Sequence, residues 1–150
     1  MRDYNQRILE REGVEVLVEE GRSFLTRSED RKWDFIQLSG VDTLASSQAG
    51  AFTLAENYLY TAEAFADYLE HLTDDGVLTL TRWIFFPPRQ TLRVISLVDH
   101  ALRQVGIEDP RDHMMIVGDQ SKFFSVFMVS KQAFTEAEKD KVVARCEKFD

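Results

Sequence analysis

The chain has 150 residues, 44% of them hydrophobic, with a net charge of −8 and an isoelectric point near 4.9. That is the length of one ordinary domain with apolar residues enough for a core, and its acidity argues against sequence-independent binding to nucleic acid. The single cysteine, Cys146, excludes an internal disulfide, and His71, His100 and His113 stand too far apart in sequence to suggest a metal site.

Helix and strand signals alternate along the chain. Residues 3–12 have a charged helical pattern ending at Gly13, where a glycine closes a helix, and do not resemble a signal peptide. The run "VEVLVE" at 14–19 alternates apolar and polar residues and predicts a strand. A short helix over 21–28 and a polar turn over 28–32 lead to a second strand, "WDFIQL", at 33–38. Residues 40–57 are rich in Ala, Ser, Thr and Gly without a period. Loops of that length in a compact domain are more often functional than filler.

Thr61 is placed to cap a helix running to about Leu72, with Phe65, Tyr68, Leu69 and Leu72 on one face. A turn at 74–76, "DDG", precedes a strand at 77–83, "VLTLTRW". The next helix starts at "PPR" (87–89), since proline is tolerated in a first turn, and would turn Leu92, Ile95, Val98, Leu102 and Val105 inward. Strands at 113–119 and 122–130 are close enough in sequence to form an antiparallel pair. Thr135 and Glu138 make a capping box for a last helix to about Lys148.

This order predicts a single α/β domain over residues 1–150. Its sheet would have about five mostly parallel strands with an antiparallel last strand, and helices on both faces. No apolar run approaches the length needed to span a bilayer, so the chain reads as a soluble, cytoplasmic domain.

Four segments add a narrower match. "VEVLVEEGRSFL" (14–25), "KWDFIQLSGVDT" (32–43), "ENYLYTAEAFADYLEHLTDDGVLTLTRW" (56–83) and "PPRQTLR" (87–93) follow one another in the order found in the spermidine/spermine synthase family. The chain resembles the carboxyl-terminal portion of that family over roughly residues 5–145, and above all its divergent spermidine-synthase-like branch, often fused to membrane segments. The resemblance implies a Rossmann-like fold of the class I S-adenosylmethionine-dependent kind. It also implies a parent that transfers an aminopropyl or related group from S-adenosylmethionine or its decarboxylated form to a small amine.

The resemblance assigns roles residue by residue. Glu20-Gly21 matches the acidic-small pair that contacts the cofactor's adenine, where a carboxylate accepts from an amine and glycine admits close approach. An acid at 20 is equally suited to opening a helix. The family's catalytic Asp, which takes a proton from the attacking amine, is replaced here by Ser39, whose hydroxyl cannot serve as that base; the family's second Asp is present as Asp42. Asp34 falls at a structural position instead. Glu56, Tyr58 and Tyr60 match the segment lining the amine pocket, although Leu59 and Tyr60 packing against the sheet with Glu56 in solvent accounts for them more simply. Trp83, Phe85 and Phe86 follow the strand at 77–83 at the edge where open α/β sheets bind ligands; packing accounts for the two phenylalanines as well. His71 reads as a surface residue.

Two departures weigh against catalysis by this chain alone. Its seven glycines are scattered, at 13, 21, 40, 50, 76, 106 and 118, and none forms the glycine-rich turn that cradles the cofactor in the family. The family's first two strands have no counterpart, and in the complete fold they lie between the strands expected here at 14–19 and 33–38. The expectation is therefore a truncated domain that binds no cofactor by itself and leaves a sheet edge open to a second copy. Three functions stay open for the parent: an aminopropyltransferase-like enzyme, a non-catalytic module, or a methyltransferase with another acceptor.

Overall fold

The computed structural model describes residues 7–39, 58–84, 86–119 and 123–148. Its helices are α1 (Gly21–Arg27), α2 (Ala62–Glu70), α3 (Arg89–Gln104) and α4 (Glu136–Glu147); its strands are β1 (Trp33–Leu38), β2 (Leu72–Trp83), β3 (Met114–Asp119) and β4 (Phe124–Ser130). The strands form one four-stranded sheet in the order β1-β2-β4-β3. β1 and β2 are parallel, with Leu38 opposite Leu80, while β4 runs antiparallel to both β2 and β3. The architecture is a partial Rossmann-like α/β fold.

The strand expected at 14–19 does not form: residues 14–18 carry no regular secondary structure, and among the described residues the sheet has four strands instead of five. Alternating valines suit a pleated surface, but an isolated strand cannot satisfy its backbone without a ladder partner. Upstream, among the described residues, only Ile8–Glu10 is helical, as a 3₁₀ turn, and Gly13 adopts a φ of 81° that glycine tolerates best; residues 3–6 of the expected helix lie outside the described residues.

β2 is longer than the sequence suggested. Leu72, assigned above to the preceding helix, opens the strand, and the expected turn at Asp74–Gly76 lies inside it as an irregularity. Trp33 pairs with Leu72 but Phe35 already pairs with Val77, so β2 bulges between those two pairs. The Thr73 hydroxyl donates to Asp34 Oδ1 at 2.9 Å across this bulge, giving Asp34 its structural role. Gly76 is required there: a Cβ would stand 2.9 Å from the Trp33 carbonyl oxygen and 3.0 Å from Leu72 Cβ.

The core lies on one face of the sheet. Leu78 and Leu80 of β2 and Phe127 and Val129 of β4 meet Leu25 of α1, Phe65, Tyr68 and Leu69 of α2, and Val94, Val98 and Leu102 of α3 in one cluster. α2 is held at its start by Thr61, whose hydroxyl accepts from the Ala64 N–H at 3.1 Å, as expected from the sequence. In α3 the buried stripe is Val94, Val98, Ala101 and Leu102, and Leu92 is exposed, because it falls on the opposite side of the axis from that stripe. α4 has both bonds of the Thr135–Glu138 capping box but buries no residue. On the face of the sheet opposite this core, Val77, Val117, Val126 and Met128 are half-buried and Phe35 is exposed.

Candidate functional site at the carboxyl end of the sheet

β1 and β2 run side by side, so their carboxyl ends open on the same edge of the molecule. In α/β sheets that edge is where ligands bind. Leu38 lies opposite Leu80, and Ser39 leaves the sheet, exposed, while β2 still has Thr81, Arg82 and Trp83 to run. The two residues expected to provide carboxylates near it, Asp42 and Glu56, lie outside the described residues, as does Phe85.

Tyr60 and Tyr58, the two aromatic candidates, are both engaged by guanidinium groups. Tyr60 is buried, with the Arg82 guanidinium 4.3 Å from its ring centre. Arg82 is itself buried on β2 and donates toward Gln90 Oε1 at 3.4 Å, tying the end of β2 to the first turn of α3. Its carbonyl accepts from the Ser125 hydroxyl at 3.1 Å. Tyr58 is more exposed, and the Arg22 guanidinium lies 4.3 Å over its ring. Cation–π attraction orients both pairs and occupies one face of each ring.

Arg22 is the organising residue of the neighbouring cluster. Its Nε donates to Asp67 Oδ2 at 2.7 Å and its NH1 to the Tyr58 carbonyl at 3.1 Å, so α1, α2 and the segment before α2 are joined by one side chain. Both charged partners are largely shielded, at 12% and 26% side-chain exposure. Spacing gives no hint of this pair, because the partners are separated by the loop and by β1. Arg82 was equally hidden, since a buried arginine in a strand leaves no periodic signature.

Glu20 is the N-cap of α1. Its carboxylate accepts from the Arg22 N–H at 3.0 Å, and from both the Ser23 N–H and hydroxyl at 2.8 Å. Burial works to raise its pKa, but these backbone and side-chain donors, with the Arg22 charge, together hold it below the ordinary glutamate range. Gly21 has nothing within 4 Å of where a Cβ would stand, so its own chain does not demand a glycine. The pair supplies one acceptor, already engaged by the first turn of α1.

His71, expected at the surface, is buried: its Nδ1 lies 2.7 Å from the Asp67 carbonyl oxygen and its ring 5.9 Å from that of Trp33. Phe86 is largely exposed, which removes the packing role considered for it, whereas Trp83 packs on Phe124 with ring centres 4.1 Å apart. Among the described residues no cluster of His, Cys, Asp or Glu could hold a metal, and no helix is long and apolar enough to cross a membrane.

No protein-family model matches the chain, and no curated protein matches it. Among solved structures it is similar to spermidine synthase from Thermotoga maritima, with a TM-score of 0.53 and 16% sequence identity. The match covers 91% of this chain and 43% of that one. The fold is spermidine-synthase-like. At this level of identity the similarity speaks for the fold, and the chain spans less than half the length of that neighbour. Within this fold, Ser39 follows the carboxyl end of β1 and Arg82 stands near that of β2.

Proposed function

We propose that the chain is the carboxyl-terminal part of a spermidine-synthase-like transferase domain. The complete protein transfers an aminopropyl or related group from an S-adenosylmethionine-type cofactor to an amine acceptor, and these residues alone do not turn over. The observation that supports the reading is the similarity to spermidine synthase over 91% of the chain, in agreement with the four sequence segments. In this reading Glu20 and Gly21 border the adenine, and Asp42, Glu56, Tyr58 and Tyr60 border the acceptor.

A second reading, a module that keeps the fold without the chemistry, is favoured by Ser39. Deprotonating an ammonium nucleophile needs a base that is ionised near neutrality, and a serine hydroxyl is not one. The stacking of Arg82 and Arg22 on Tyr60 and Tyr58 points the same way, since one face of each ring already serves a cation.

Calorimetric titration of the folded chain with S-adenosylmethionine, its decarboxylated form and methylthioadenosine separates the two states of the site. The expected result is no heat of binding for the isolated chain. Micromolar binding of any of the three would overturn that expectation and make Glu20 part of a working nucleotide site.

A further inference from the structure

α3 is positive in a chain that is negative. Against 26 acidic and 18 basic residues overall, α3 bears Arg89, Arg93 and Arg103 and a single acid, Asp99, which Arg103 engages at 3.0 Å. Arg22, Arg27, Arg103 and Arg111 each hold a carboxylate. Arg89 and Arg93 are exposed, and among the described residues the side chain of neither has an ion pair, a hydrogen bond or a ring contact. Arg89 also opens the helix, in a first turn without an acid, where the macrodipole disfavours a cation. The two charges serve neither the helix nor a neighbour.

Large apolar side chains are exposed around the same corner. Phe86, 66% exposed, stands just before the helix, and Leu92, 60% exposed, lies beside the two arginines on its outer side. The contact of Arg82 with Gln90 draws the first turn of α3 to the end of β2, and Ile84, just past β2, donates its N–H to the Phe123 carbonyl at 2.7 Å. Phe123, 52% exposed, therefore comes to the same end of the sheet. Asp119, opposite Phe124 at this end, is half-buried and already engaged. The corner borders β2 and β4, each paired on both sides, so strands added at the open edge of β1 extend the sheet away from it.

We propose that this corner docks on a membrane surface that contains anionic lipid. Arg89 and Arg93 meet the headgroup anions, and Phe86, Leu92 and Phe123 enter the boundary between headgroups and acyl chains. The long arginine stems let the charges stay at headgroup level while the apolar side chains beside them go deeper. Screening limits the reach of a charge to about 10 Å, so a flat anionic layer touching this corner meets chiefly the two arginines, whatever the sign of the whole chain. A nucleic acid or an acidic peptide would use the arginines and leave the three apolar side chains in water. A lipid surface takes both.

The test is flotation of the chain with lipid vesicles at a series of salt concentrations. Vesicles of phosphatidylcholine mixed with phosphatidylserine should carry the chain with them, vesicles of phosphatidylcholine alone should not, and added salt should weaken the capture. Each arginine at an anionic surface is worth about 5-fold in affinity, so Arg89→Gln/Arg93→Gln should weaken binding about 30-fold. Phe86→Ser/Leu92→Ser keeps both charges and should weaken it about 10-fold by removing the inserted apolar surface. All four positions are exposed, so folding should be kept, as circular dichroism will verify. No capture by either kind of vesicle, or equal capture by both, would overturn the proposal. Binding to the anionic vesicles that either variant leaves unchanged would overturn it as well. Binding to soluble polyglutamate with none to vesicles would assign the arginines to an acidic polypeptide and end the membrane reading.

Discussion

Glu20 shows how a single side chain can suit two roles that the sequence alone leaves equal. An acid before a glycine was compatible with gripping an adenine and with opening a helix, and the geometry shows that it opens the helix: three donors of α1 converge on its carboxylate. The consequence is a pH dependence of defined sign. Because the folded pKa lies below its ordinary value, the carboxylate contributes stability that is complete above the unfolded pKa and is lost as the pH falls through the folded one. Replacing it by Glu20→Gln keeps an acceptor but removes the charge. The variant should be less stable near neutrality by roughly 0.5 kcal/mol, the usual scale of a charge at an exposed helix start. The difference should vanish in acid, below the glutamate range. Urea denaturation at a series of pH values reads this directly, and a gap that persists unchanged in acid would mean that the charge has no part in it. Arg22 and Arg82 were illegible beforehand for a different reason. Their partners, Asp67, Tyr58 and Tyr60, are set by how α1, α2 and β2 come together, and no local pattern encodes that meeting.

Elements were legible where local chemistry and tertiary context agreed. Thr61 capping α2 and the Thr135–Glu138 box of α4 are local contacts, and both form as read. The failures came where a partner decides. The alternation at 14–19 met no ladder and stayed irregular, while Asp-Asp-Gly, a turn signal in isolation, was absorbed into β2 because β1 runs alongside it. Gly76 is the residue that permits this. It lies against the Trp33 carbonyl, an atom that cannot rotate away, so Gly76→Ala forces the two strands apart at the bulge or distorts β2. A loss of about 1–3 kcal/mol is expected from such overpacking. Alanine at an exposed strand site nearby, Asp75→Ala, gives the contrast and should change stability by less than about 0.5 kcal/mol. Chemical denaturation of the two variants checks the argument, and equal effects would sink it.

At the scale of the whole molecule, stability is unevenly distributed, and that follows from the one-sided packing. β2 and β4 each have a neighbour on both sides, and the fully buried Phe65, Leu69, Val98 and Leu102 press against them. β1 has a neighbour on one side, no fully buried residue and an open groove beside it. The partial sheet was legible from the order of elements, but which face would be covered was not, because the helices' partners are fixed by the sheet they share. Amide hydrogen exchange should therefore be slowest in β2 and β4 and in the buried stripe of α3, since those amides open only with global unfolding. The outward-facing amides of β1 should exchange orders of magnitude faster in dilute solution, where an edge has no partner. If the β1 amides were as protected as those of β2, the edge would be closed and the uneven distribution of stability would have to be abandoned.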